Sequence, residues 1–158
     1  MAFVYRKAAR QWLNSTKWHV AATLTFSGET HEKAAERQLK HFVNEANRLI
    51  YKNAKRKKRG AKRLELVAIE ENNSIKTNLH LHLAIRMPAE LGKDYDLFCK
   101  FLAQLWKEHC GKNFIAEFKA IHDSTGWIDY ITKGIIGNNC DTLNLYSSNI
   151  AAANLLIE

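Results

Sequence analysis

Two histidines, His80 and His82, stand two residues apart in the run NLHLHLAIR, residues 78–86. If that run is a strand, its side chains alternate between faces. Leu79, Leu81, Leu83 and Ile85 then make an apolar face, and His80, His82, Ala84 and Arg86 make the other. Imidazoles two apart on a strand are separated by about 7 Å, close enough to give two nitrogens to one metal ion. A carboxylate is available upstream, where RLELVAIEE (63–71) ends in Glu70 and Glu71. A connection between antiparallel neighbours returns these acids to the side of His80. Two imidazoles with one carboxylate suit Mg2+ or Mn2+ better than a structural zinc site, which takes four N or S ligands. If Val67 and Ile69 face the core, Ala68 and Glu70 share the histidine face. Glu70 is therefore the expected ligand, with Glu71 the alternative if loop length or a bulge shifts the register.

A second group able to do chemistry is WIDYITKG (127–134), in which Tyr130 and Lys133 fall one helical turn apart on one face. A phenol is a weak nucleophile at neutral pH unless a cation stabilises the phenolate. Lys133 can supply that charge or neutralise a phosphate under attack. Basic residues crowd the run KNAKRKKRGAKR (52–63): Lys55, Arg56, Lys57, Lys58, Arg59 and Arg63, joined by Arg86 and Lys119 elsewhere. They offer the electrostatic surface that a phosphate chain needs. His19 belongs to the same face of its strand as Thr23 and Thr25, whereas His31, His41, His109 and His122 lack partners at useful spacing and read as surface or packing residues.

These residues need elements to hold them, and hydrophobic periodicity supplies an outline. A short helix is expected over Tyr5–Leu13, then a strand over Trp18–Phe26. In that strand Trp18, Val20, Ala22, Leu24 and Phe26 point one way, and His19, Ala21, Thr23 and Thr25 the other. Ala35, Leu39, Phe42, Ala46, Leu49 and Ile50 mark a long amphipathic helix from His31 to about Lys55. It ends where like charges repel and Gly60 breaks it. Strands over 63–71 and 78–86 form a hairpin. Pro88 and Gly92 interrupt the pattern before a helix over Tyr95–Cys110 that buries Phe98, Phe101, Leu102, Leu105 and Trp106 and is closed by Gly111. A fourth strand, Asn113–His122, precedes a short helix over Trp127–Ile136. The order βαββαβ predicts an α+β fold, the ferredoxin-like or RRM-like split βαβ. Its antiparallel sheet has four to five strands, helices on one face and the site on the open face. No period organises the tail, residues 138–158.

The 158 residues fit one domain, with its core over about 18–136. A 46% hydrophobic content argues for a folded chain, and a formal charge of +8 attracts polyanions such as nucleic acid. Cys99, Cys110 and Cys140 are odd in number with no CxxC spacing, which points away from disulfides and zinc knuckles and toward a reducing, cytoplasmic setting. No apolar run approaches the roughly 20 residues that span a bilayer, and MAFVYRKAARQWL lacks the apolar core of a secretory signal.

Taken in order, the strand ending ATLTF, the strand HLHLAI and the helix carrying YITK resemble the HUH endonuclease superfamily: replication initiators, relaxases and related transposases that work on single-stranded DNA. The resemblance covers about Trp18 to Gly134 and is nearest the single-tyrosine Rep class. It implies that His80 and His82 are the metal-binding pair, Glu70 or Glu71 the upstream acidic ligand, Tyr130 the attacking tyrosine and Lys133 the lysine that follows it. Single-stranded DNA would lie on the open face, touching Thr23, Thr25 and the basic residues above. The implied activity is nicking and rejoining through a 5′-phosphotyrosyl link, as rolling-circle replication of a plasmid, phage or virus requires, in a bacterial, archaeal or virus-infected cell. No GxxxxGK[ST] pattern occurs, so no helicase motor is expected here. The competing readings are a non-catalytic RRM-like binder of single strands, a metal-dependent hydrolase acting through water with Tyr130 only structural, and a basic partner-binding domain.

Overall fold

The computed structural model describes residues 2–27, 32–52, 62–71, 78–110 and 114–135. In chain order these form α1 (Ala2–Asn14), β1 (Val20–Ser27), α2 (Glu32–Tyr51), β2 (Leu66–Glu71), β3 (Asn78–Ile85), a 3-10 turn (Ala89–Leu91), α3 (Tyr95–His109), β4 (Phe114–Ala120) and α4 (Ser124–Ile131). The four strands make one sheet in the order β2-β3-β1-β4, and every neighbouring pair is antiparallel. This is the split βαβ arrangement: β3 is inserted between β1 and β2, the two strands that α2 connects. The basic residues Lys55, Arg56, Lys57, Lys58 and Arg59, the cap expected at Gly111 and the tail 138–158 all lie outside the described residues.

Alternation fixes the main core. Val20, Ala22, Leu24 and Phe26 of β1 and Leu81, Leu83 and Ile85 of β3 point to one face. There they meet Leu39, Phe42 and Ala46 of α2 and Phe98, Leu102 and Trp106 of α3. Trp106 sits edge-on to both Phe26 and Phe42, the geometry that ring quadrupoles favour. Helix α2 stops at Tyr51, short of the expected Lys55, because Lys52 takes a left-handed φ of 56° that cannot continue a helix. Leu49, expected in the buried stripe, is 44% exposed; buried Asn47 instead accepts the Leu64 backbone N–H at 2.7 Å and ties the approach to β2 onto α2. After Pro88, Gly92 adopts φ 89°, a conformation that only glycine takes readily, and Asp94 caps α3 by accepting the Leu97 N–H.

The two long helices share one face as expected, but the other face is not fully open. Leu13 of α1 and Ile128 and Ile131 of α4 bury Val67, Ile69 and Ala84 there in a second core. Trp18 belongs to this second core too, against the expected alternation. It precedes β1, and the reversal out of α1 tucks its indole under the helix end, where the N–H donates to the Leu13 carbonyl at 2.8 Å. That carbonyl, in the last turn of the helix, also takes the Thr16 N–H at 3.3 Å, and a buried indole N–H needs such a partner. Helix α1 also holds α4 through an ion pair between Arg10 and Asp129. Among the described residues, the part of the face left uncovered is the side made by β1 and β4, where Ile115, Glu117 and Lys119 are exposed.

Candidate functional site

Helix α4 begins three residues earlier than the periodicity suggests, because Asp123 caps it by accepting the Gly126 N–H at 2.9 Å. Gly126 leaves room for the capping carboxylate: a Cβ there would collide with Asp123 Oδ2 and push the cap aside. The cap sets the helix phase, so that Ile128 and Ile131 face the sheet and Trp127 and Tyr130 look toward His82; the helix ends at Ile131, short of the expected Ile136, and Lys133 joins them from the turn that follows. The Trp127 indole N–H donates to the Leu83 carbonyl at 3.1 Å, pinning the helix to β3. Its ring stacks on Tyr130 with centroids 5.5 Å apart. The His82 ring meets Tyr130 edge-on at 5.4 Å, and Lys133 Nζ lies 4.0 Å from the centre of the Tyr130 ring.

On the sheet, the histidines face away from the main core, as the alternation predicts. Register pairs Thr23 with His82 and Thr25 with His80. Each threonine hydroxyl lies 3.1 Å from the Nδ1 of its histidine. The other nitrogen of His82, Nε2, lies 2.8 Å from Glu71 Oε2. A carboxylate only accepts, so Nε2 carries the proton; in the neutral ring Nδ1 then accepts from the Thr23 hydroxyl. His82 is only 4% exposed, and burial pushes its pKa below the ordinary value, overcoming the opposing pull of Glu71. Glu71 itself is held below the usual carboxylate range by the His82 hydrogen bond first and then by Lys133, whose Nζ is 3.2 Å from Oε1. Burial works against the Lys133 charge, but Glu71 outweighs it and raises the lysine.

The acid beside the histidines is therefore Glu71 rather than Glu70. Glu71 is paired with His80 in the ladder, whereas Glu70 is paired with Leu81, whose side chain enters the main core. The face assignment of β2 is the reverse of the one expected: Leu66 and Ala68 belong to the main core, and Val67 and Ile69 to the second. Both faces of this strand are apolar and buried, so alternation within it carried no sign of which face held the histidines.

Among the described residues, no three His, Cys, Asp or Glu side chains already converge as a bound cation requires. The donors nonetheless match a divalent ion in type. His82 and Glu71 touch, His80 follows on the same face of β3, and threonines engage both Nδ1 atoms. An Nε2 to Oε2 separation of 2.8 Å is near the roughly 3 Å between adjacent ligands of an octahedral ion with ~2.1 Å bonds. Loading would cost His82 its Nε2 proton.

Comparison with family models, curated proteins and solved structures finds no match. Nor does any helix among the described residues have the length and apolarity to cross a membrane.

Of the expected basic residues, the described ones, Arg63, Arg86 and Lys119, each have a local partner. Arg63 bonds Asn44 on α2, and Arg86 pairs with Glu65 at 3.3 Å. Arg86 lies six residues along the chain from His80, which is about 20 Å of strand. Lys119 shares the open face but pairs with Glu117. His19 sits at that distant end as well, stacked on Tyr95 with centroids 4.6 Å apart and accepting the Met87 N–H at Nδ1, so its part is structural. Two contributions escaped the sequence reading. Trp127 anchors Tyr130, and Thr23 and Thr25 hold the imidazoles. For the threonines a signal existed: TLT on β1 is spaced as HLH is on β3, and antiparallel pairing can set such patterns face to face.

Proposed function

We propose that this protein is a metal-dependent endonuclease for single-stranded DNA that cuts by transesterification onto Tyr130. The single observation that carries the reading is the continuous chain from Thr23 through His82 and Glu71 to Lys133, with Tyr130 packed against both His82 and Lys133. Three strands and the end of α4 meet there. A merely structural patch would have no reason to gather an imidazole, a carboxylate, an ammonium and a phenol at a surface. The resemblance of the three ordered motifs to HUH endonucleases supports the same reading.

In this proposal His80, His82 and Glu71 would hold Mg2+ or Mn2+, which would supply Lewis-acid polarisation of the scissile phosphate. Tyr130 is 45% exposed, so its hydroxyl can reach a strand lying on the open face and lose its proton to water. Its oxygen attacks phosphorus, the bond to the 3′ oxygen breaks, and that oxygen leaves as a hydroxyl after taking up a proton. The 5′ phosphate remains on Tyr130. Because the ester is conserved, a later 3′ hydroxyl can reverse the step and rejoin the strand without ATP. Lys133, over the Tyr130 ring, offsets negative charge on the phenolate and phosphate. Thr23 and Thr25 fix the imidazole orientations, a positioning role familiar around metal-binding histidines.

The test is incubation of the protein with labelled single-stranded oligonucleotides, including hairpins, and Mg2+ or Mn2+, followed by a denaturing gel. The expected result is a covalent adduct that disappears with Tyr130→Phe and with chelator. Cleavage without an adduct would support a water-using hydrolase. Binding without cleavage would support the RRM-like module, although the open face offers threonines, His80 and Ile115 where such readers carry stacking aromatics.

A further inference from the structure

We propose that Lys133 acts as a built-in stand-in cation for Glu71, holding the carboxylate while no divalent ion is bound and leaving it when one binds. This rests on the metal-site reading above. Both Glu71 oxygens are engaged, Oε2 by His82 at 2.8 Å and Oε1 by Lys133 at 3.2 Å. Each oxygen so engaged keeps a lone pair, but a metal drawn to Oε1 meets the Lys133 ammonium already there, and the two cations repel. Lys133 is suited to let go. Its side chain is 46% exposed, so water can solvate the released ammonium, whereas the Glu71 side chain is 21% exposed and poorly able to stand uncompensated.

Lys133 has a second partner waiting: its Nζ already lies 4.0 Å from the centre of the Tyr130 ring. An incoming ion that takes over Glu71 therefore leaves the ammonium beside the phenol. Metal occupancy and delivery of positive charge to Tyr130 become one event. The apo site keeps its charges paired, and the nucleophile gains full use of its lysine only in the loaded site. The device is a competition between two cations for one carboxylate, distinct from the plain role of a lysine that stabilises charge during attack.

The competition is read by Mn2+ binding to the full chain, following free Mn2+ by electron paramagnetic resonance, for the wild type and Lys133→Met. A half-exposed ion pair opposes binding only modestly, so Lys133→Met is expected to bind Mn2+ roughly three- to tenfold more tightly. The second measurement is the lysine ε-CH2 NMR spectrum of the wild type during Mg2+ titration, with the Lys133 signal assigned by its loss in Lys133→Met. That signal is expected to move in step with binding. Unchanged or weaker Mn2+ binding by Lys133→Met overturns the proposal. So does tighter binding with a Lys133 signal that stays in place at Mg2+ saturation, since that would be repulsion without displacement. If neither protein binds Mn2+, the metal-site reading itself fails; if both bind equally, only the competition does.

Discussion

Thr23 gives the sharpest test of the electrostatic account, because its hydroxyl serves one atom, Nδ1 of His82. Thr23→Val keeps the shape of the side chain and removes the donor. His82 is 4% exposed, so water has little access to the orphaned nitrogen. An unsatisfied buried acceptor costs about 1–3 kcal/mol. For a domain of this size each kcal/mol shifts Tm by ~2–4 °C, so a fall of roughly 4–8 °C is expected for a cost in the middle of that range. Thr25→Val makes the same change opposite His80, which is only partly buried and open to replacement by water; its cost should stay within about 1 kcal/mol. Thermal unfolding of both variants at pH 7.5, with long-range 1H–15N spectra of the wild-type imidazoles, checks the argument. His82 should be neutral and protonated at Nε2. A Thr23→Val cost no larger than that of Thr25→Val, or a wild-type His82 carrying its proton on Nδ1, would refute the reasoning.

Other outcomes follow from the same geometry. Glu71→Gln should weaken Mn2+ binding by about tenfold or more, a loss in the range seen when a metal site loses one interaction, while Glu70→Gln should leave it nearly unchanged; calorimetric titration distinguishes them. Stability should decline in mild acid. His19 and His82 both have pKa values pushed down, His19 by burial first and then by Lys17 and Arg86, and His82 by burial. The unfolded chain therefore takes up protons first. Their contribution is complete above the ordinary histidine value near 6.5 and falls as pH drops below it. Glu71, also depressed, contributes above its ordinary value of 4.5 and loses that contribution on further acidification. Unfolding scans at pH 7.5, 5.5 and 4 should show both declines, and His19→Asn should flatten part of the first. Finally, burial pushes the Cys110 thiol up to about 11 and leaves it 2% exposed. A disulfide reagent at pH 8 should modify it only after denaturant is added.

Much of the architecture was legible because it rests on local periodicity. Alternation in NLHLHLAIR put His80 and His82 on one face whatever the strand paired with, and the 3.6-residue stripes of α2 and α3 showed which faces they bury. The order of elements then implied the split βαβ sheet. Tyr130 and Lys133, three apart, were expected on one helical face; the helix ends at Ile131, and Lys133 reaches the Tyr130 ring from the turn that follows.

What tertiary structure decided was everything that depends on register or on a second layer. Glu71 was chosen over Glu70 by the pairing of β2 with β3, and β2 could not reveal this alone because Val67, Ala68 and Ile69 are all buried. The second core under α1 and α4 was hidden because Trp18 and Trp127 carry no sign of the face they will cover. The partnership of each histidine with a threonine more than fifty residues away exists only through β1–β3 register. A sequence fixes directions along one strand or helix, since these follow from backbone geometry. It leaves open which side chains meet across elements, since a one-residue slip exchanges every neighbour.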